Sequence, residues 1–477
     1  MKQDKKMIYT IAGIFIGIFG LLVGYMIYFT IFKQDEMSVH SQNTRLNTLE
    51  SEVIRGKIYD ASVDDNIILA QTDEDGERDY PYGSLYAHVV GYSQYGKTGI
   101  EALGNSELLY PNYSFLSILK RAFLNQKFEG RDIVTTLEHD YQSRIADAME
   151  GKKGAVVVLE ATTGKVKAMY SSPTFNPNKI EANWEELNTD EKNSPLLNRA
   201  TRGLYPPGSI FKVVTTLAYM RQEEALQGKD LSQIDLDFTH DCKGSISGDD
   251  YTIKCYNGTV HGEMDLSSAF AKSCNTYFVA LGEKVGQSNL KTEAEALGFN
   301  QTLDVGFGYS MSQFNLQPDD SDFEKAATAI GQGRTLTTPL HMAMIASAII
   351  NDGVSMKPYL IQYAMKQNGQ IENQQMPKVS GTLMSEEEAY TLQGLMEGVL
   401  DFGTAVKLPE KNLVVGGKTG TAQNETSEDH SWFMGYAYDP QDDTKAPIAF
   451  AVVVEGGGIG AQALGISNSI LEAYRAS

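Results

Sequence analysis

Cysteine is scarce in this chain: Cys242, Cys255 and Cys274 are the only three in 477 residues. So few thiols cannot form the multi-bridge framework that holds small secreted domains together. The fold must rest on a core, and with 42% hydrophobic residues the chain can build a large one, in two or three domains. Positive charge is also in short supply. Lys and Arg number 40 against 61 Asp and Glu, a net charge of −21. That balance excludes nucleic acid as an expected partner, because phosphate backbones are met by basic surfaces. The acidity reads as solubility. No internal repeat and no low-complexity tract occurs, which excludes solenoids, propellers and long disordered arms.

Long uncharged runs are absent as well, with one exception. Residues 7–32 carry no charge. As a helix they would measure roughly 39 Å, enough to span a hydrocarbon core of about 30 Å with some tilt. Lys2, Lys5 and Lys6 precede the run, whereas Asp35 and Glu36 follow soon after Lys33. The lysine bias predicts a cytoplasmic tail over 1–6 and an outward-facing remainder. A cleaved signal peptide would have a shorter apolar region ending in small residues. This run ends in Tyr28-Phe29-Thr30-Ile31-Phe32, so an uncleaved anchor over 7–32 is expected.

The next segment, 33–150, reads as a smaller domain, mainly β and irregular. It has short strands over 53–59 and 66–70, a helix over 116–125, and a helix over 140–149. From residue 151 the texture changes. Residues 155–160 form a buried-strand run, 162–164 a turn and 165–171 a second strand. Three more strands are expected over 413–423, 431–438 and 447–455, then a helix over 462–475. Two strands from the start and three from the end can close one five-stranded antiparallel sheet with helices on its faces, an α/β (α+β) domain over 151–477.

Two stretches compete for the chemistry. Residues 91–99, GYSQYGKTG, fit the phosphate-loop pattern G-x-x-x-x-G-K-[ST], which would make the chain a nucleotide-binding ATPase. That reading needs a long helix directly after Thr98, yet Gly104 and Asn105 cut it short. It also needs ATP on the side of the membrane where little is found. The other stretch, 205–220, YPPGSIFKVVTTLAYM, opens a helix with Ser209 near its start and Lys212 three residues on, on the same face. A serine hydroxyl needs an adjacent base to act as a nucleophile, and a desolvated lysine can be that base. Ser273-Cys274-Asn275 supplies an S-x-N triplet, and Lys418-Thr419-Gly420-Thr421 supplies a cation, hydroxyls and exposed backbone N–H on a strand edge.

Each triplet alone is common. The order S-x-x-K, S-x-N, K-T-G is the set found in β-lactamases and penicillin-binding proteins. With it, residues 154–178, 198–213, 330–343 and 431–436 make the chain resemble the class B penicillin-binding proteins, monofunctional peptidoglycan D,D-transpeptidases. Residues 55–60 and 87–105 resemble that family's N-terminal pedestal, although Ala61-Ser62-Val63 departs from its usual continuation. The resemblance implies that Ser209 forms an acyl-enzyme with a D-Ala-D-Ala stem peptide and passes it to an amine of a neighbouring stem. Lys212 is then the general base and Ser273 the relay to the leaving amine. Asn275 holds the donor's amide and orients Lys212. Lys418 keeps Lys212 partly neutral by repulsion. Thr419 and Thr421, with Gly420 between them, bind the terminal carboxylate. The N–H groups of Ser209 and Thr421 form the oxyanion hole, and β-lactams acylate Ser209. No cofactor is required for catalysis. A membrane-embedded glycan polymerase of the shape, elongation, division and sporulation family is the implied partner, since 33–150 has no room for a glycosyltransferase. A membrane-anchored β-lactamase or β-lactam sensor of the same fold is the alternative, but no matched water-activating glutamate is seen. Trp432 and Phe433 read as core.

Residues 240–262 stay open. Cys242, Cys255 and His261, with His240 and Asp249 or Asp250 nearby, are zinc-ligand types within about twenty residues. A Cys242–Cys255 disulfide, a structural zinc and two unpaired thiols all fit.

Overall fold

The buried run at 154 becomes an interior strand of a five-stranded sheet. The computed structural model describes residues 11, 13–25, 53–62, 67–73, 76–110, 127–249, 251–408, 412–423, 428–458 and 460–477. The sheet consists of β1 (Gly154–Glu160), β2 (Val166–Ser172), β3 (Val414–Ala422), β4 (His430–Tyr438) and β5 (Ile448–Val454), in the order β3-β4-β5-β1-β2 and antiparallel throughout. Valine and alanine fill β1 and β5. Every residue of β5 is buried, so the sheet is covered on both faces.

Helices α1 (His139–Ala148) and α7 (Ala461–Ala476) pack together on one face, and α5 (Pro339–Ile350) and α6 (Glu386–Asp401) on the other. Beyond them lies a helical layer with α2 (Lys212–Gln227), α3 (Leu266–Ala271) and α4 (Asn275–Val285). Residues 210–220 are all buried, so the first half of α2 is enclosed around its whole circumference, Lys212, Thr215 and Thr216 included. It ends at Gly228, whose left-handed φ of 61° closes the last turn.

A second, six-stranded sheet lies in the N-terminal region. Its strands run Ile371–Glu372, Ile361–Met365, Asp132–Thr135, Ile58–Tyr59, Ile68–Thr72 and Arg78–Asp79. Two of these come from beyond residue 360. The strand expected over 53–59 is two strands, Val53–Ile54 and Ile58–Tyr59, pairing with different partners. Gly56 separates them, where a Cβ would lie 1.8 Å from the Arg131 carbonyl oxygen. The helix expected over 116–125 lies outside the described residues. So does part of 7–32, of which residues 13–25 are helical with exposed apolar side chains. Among the described residues no helix is long and apolar enough to cross a membrane.

The phosphate-loop pattern at 91–98 does not make a phosphate cradle. The loop closes on itself: Thr98 N–H donates to Tyr92 O (3.2 Å), and Tyr92 N–H to the Thr98 hydroxyl (3.4 Å). A turn rather than a strand precedes it, and the helix after it, Gly99–Leu103, has five residues. That helix aims Glu101 into the core. There its carboxylate accepts from Arg55 Nε (2.6 Å), Arg78 Nε (2.7 Å) and Tyr80 OH (3.3 Å).

Candidate active site

Three segments far apart in the sequence converge beside the edge strand β3. The first is the turn Gly208–Phe211, which runs directly into α2 and carries Ser209, half-buried. Gly208 takes a φ of 56°, and a Cβ there would sit 2.5 Å from the Thr421 carbonyl oxygen. Glycine is what lets the turn lie against β3. Trp432, fully buried on β4, donates its indole N–H to Pro206 O (3.0 Å) and so fixes the approach to the turn. Trp432 and Phe433 are both core, as expected.

The second segment is the turn between α3 and α4. Ser273 adopts a left-handed φ of 56° and Cys274 is the N-cap of α4. The turn meets the first residue of α2. Lys212 Nζ, completely buried, donates to Ser273 O (2.8 Å), Ser273 Oγ (3.2 Å) and Asn275 Oδ1 (2.8 Å). The side-chain amide of Asn275 donates to Lys254 O (2.9 Å). The Oδ1 of Asn275 thus accepts from Lys212 while its NH2 group is held by the preceding hairpin.

The third is β3 itself. Lys418 is fully buried, donates to Thr419 O (3.2 Å) and lies over the Phe270 ring. Lys212 lies over the neighbouring Phe278 ring. Thr419 Oγ1 pairs with Thr404 Oγ1 at 2.5 Å. Gly420 packs under Ile210 and against Trp432, where a Cβ would lie 2.9 Å from that of Trp432. Thr421 O accepts from Gln332 Nε2.

Burial dictates the electrostatics here. It lowers Lys212 from 10.5 to about 7, against a smaller upward pull from Cys274 and Cys255. Lys418 falls well below its ordinary value, first through burial and then through the charge of Lys212. Burial is the first cause at both lysines, because an ammonium loses its hydration inside the helical layer, and the repulsion between the two adds to it.

The cysteines behave differently from a disulfide. Cys242 and Cys255 Sγ are 3.7 Å apart and both are free thiols, so the Cys242–Cys255 bridge is not formed. Instead Cys274, from the S-x-N triplet, joins them. Its Sγ is 3.8 Å from that of Cys255, and Cys242 Sγ is 3.3 Å from His261 Nδ1. All four donor atoms lie within 4.8 Å of one another. Zn–S bonds of about 2.3 Å and Zn–N bonds of about 2.0–2.1 Å in a tetrahedron require S···S and S···N edges of about 3.8 and 3.5 Å, so the donor set fits that ion. His240 and Asp249 are not in the group, and residue 250 lies outside the described residues.

Cys274, Thr404 and Gln332 escape sequence reasoning. Cys274 could have been found by asking whether the middle residue of the S-x-N triplet matched the ligand types upstream. Thr404 and Gln332 carry no local signal.

Comparison with known proteins points one way. The penicillin binding protein transpeptidase domain matches residues 154–474, and the penicillin binding protein A dimerisation domain matches residues 55–133. Peptidoglycan D,D-transpeptidase PbpA of Mycolicibacterium smegmatis is 32% identical over 90% of this chain and 89% of its own. The imipenem acyl-enzyme complex of penicillin-binding protein A from M. tuberculosis is 30% identical with a TM-score of 0.77, covering 89% of this chain and 99% of its own. The D,D-transpeptidase domain of a peptidoglycan glycosyltransferase from Eggerthella lenta is 32% identical with a TM-score of 0.76, covering 88% and 98%.

Proposed function

The chain belongs to the penicillin binding protein transpeptidase family, and from that premise we propose that it is a peptidoglycan D,D-transpeptidase acting through a Ser209 acyl-enzyme. The observation that carries this reading is Lys212, buried, lowered to about 7 and held by Ser273 and Asn275 one helical turn after Ser209. Ser209 Oγ attacks the penultimate D-Ala carbonyl and gives its proton to Lys212. The N–H groups of Ser209 and Thr421 stabilise the developing oxyanion, a contribution of about 3–4 kcal/mol per donor. The C–N bond then breaks, and D-Ala leaves with a proton relayed through Ser273. The amine of a second stem attacks the ester carbonyl and loses its proton, and Ser209 Oγ departs protonated. Thr419 and Thr421 hold the terminal carboxylate, while Gly420 lets β3 lie close against Ile210 and Trp432. A β-lactam enters the same path and stops at the ester. Ser209→Ala is expected to abolish covalent labelling by a fluorescent penicillin; labelling at full intensity would overturn the reading.

A structural zinc is the second component. Cys242, Cys255, His261 and Cys274 would hold it and so fix the turn that carries Ser273 and Asn275, and no step of the reaction passes through it. Purified protein is expected to contain about one zinc per chain, lost in Cys255→Ser. A metal content near zero in the unaltered protein sinks this reading.

The chain is anchored in the bacterial cell membrane by residues 7–32, with residues 33–150 as a pedestal and 151–477 as the outward-facing catalytic domain. Its uncharged sequence and lysine-flanked start support the anchor. Recovery of the full chain in the soluble fraction, like a chain starting at residue 33, would count against it. A membrane-embedded glycan polymerase supplies the nascent strands. Affinity capture of the membrane-extracted chain without such a polymerase would argue against that partner.

A further inference from the structure

Residues 331–333, Gly-Gln-Gly, lie in a stretch to which no role is yet attached. Gly331 O accepts from Gly208 N–H (2.7 Å), and a Cβ on Gly331, whose φ is 77°, would lie 2.0 Å from Gly208 O. The two turns are therefore in direct backbone contact, immediately before the nucleophile. One residue on, the side-chain amide of Gln332 makes two bonds to the edge of β3. Its Nε2 donates to Thr421 O (3.2 Å) and its Oε1 accepts from Gln423 N–H (3.2 Å). The amide pairs with β3 as the peptide group of another strand would.

This pairing fixes where Thr421 N–H points. Residues of an antiparallel strand turn both their N–H and their C=O either toward the partner strand or away from it, in alternation. β3 is the edge of its sheet, with β4 on one side only. Thr421 O faces Gln332, outside the sheet, so Thr421 N–H also faces outward, toward the edge against which Gly208 is packed. We infer that Gln332 is a positioning residue for the oxyanion hole. Its side chain holds Thr421 while its backbone neighbour Gly331 holds Gly208. One turn thus sets the separation between the Ser209 and Thr421 donors before substrate arrives. Donors fixed in advance are what make such a hole effective, since nothing must reorganise as charge develops.

The inference rests on the transpeptidase reading. It is tested by following fluorescent-penicillin acylation in the full chain and separating the dissociation constant from the limiting acylation rate. Gln332→Ala is expected to slow the limiting rate about 10–100-fold, short of the roughly 10²–10³ for losing a donor outright, with the dissociation constant within about 3-fold. Gln332→Glu keeps the bond from Gln423 but cannot donate to Thr421 O, and it brings a negative charge toward the oxyanion. It is expected to be slower still. The pH midpoint of acylation stays put in Gln332→Ala, because Lys212 is untouched and no charge is added. A purely structural role would lower thermal stability and leave the rate of the folded fraction unchanged. That result, full rates in both variants, or a loss confined to the dissociation constant overturns the inference. If Gln332→Ala does not fold, Gln332→Glu decides by the same rate. Persistent labelling of Ser209→Ala would mean that the transpeptidase reading has failed. Loss of that label with full rates in both Gln332 variants would mean that only this inference has.

Discussion

Lys212 concentrates the chemistry of the site in one titration. Its folded value of about 7 lies below its ordinary 10.5. Acylation is therefore expected to rise with pH through about 7, as the amine loses its proton. The same shift links to stability. Between those two values the unfolded chain binds more protons than the folded one, so stability rises with pH across that window. Lys212→Met, of similar length and uncharged, is expected to abolish acylation yet melt at a higher temperature than the parent near pH 7. It should also lose part of the stability gain between pH 7 and 10 in melts monitored by circular dichroism. Equal melting temperatures and equal pH slopes would contradict the burial argument. Ser209 and Lys212 were legible in sequence because a hydroxyl and an amine three residues apart at a helix start share one face. Cys274 was not, because the triplet that contains it drew attention to its flanking serine and asparagine. Gln332 was not, because a side-chain amide pairing with a strand 89 residues away leaves no periodicity to read.

Among the elements, the contact between the Ser209 turn and β3 is the tightest requirement. Gly208 sits under the Thr421 carbonyl with a left-handed φ. Gly208→Ala adds conformational strain of about 1–2 kcal/mol, and the turn must move off the strand. The expected outcome is a melting temperature a few degrees lower together with slower penicillin acylation. Acylation at the parent rate would show that the turn tolerates the displacement. The five strands of the catalytic sheet were legible within a residue or two. Their apolar runs are long, and their burial on both faces suits valine and alanine. The short strands of the N-terminal region were less so. Two-residue pairings such as Ile58–Tyr59 are fixed by backbone approach at Gly56, not by pattern.

Outside the site, one buried acidic side chain ties three stretches of the N-terminal region together. Glu101 is fully buried between Arg55 and Arg78. Burial pushes its carboxyl up, but the two guanidiniums prevail and hold it below the ordinary range. Its contribution is present above the unfolded value of about 4.3 and disappears as pH falls through the lower folded one. Glu101→Ala leaves two buried cations without their partner and is expected to cost about 3–5 kcal/mol, read as a shift in urea midpoint. A change under about 1 kcal/mol would mean that the cluster relaxes into water. Both sheets are also stitched from distant parts of the chain. Strand β1 pairs with β5, nearly three hundred residues later, and Asp132–Thr135 pairs with Ile361–Met365. Such long loops close slowly. A chain emerging amino-terminus first must therefore expose half-finished sheet edges until its last strand arrives, and through that interval it needs to be kept from pairing with other chains.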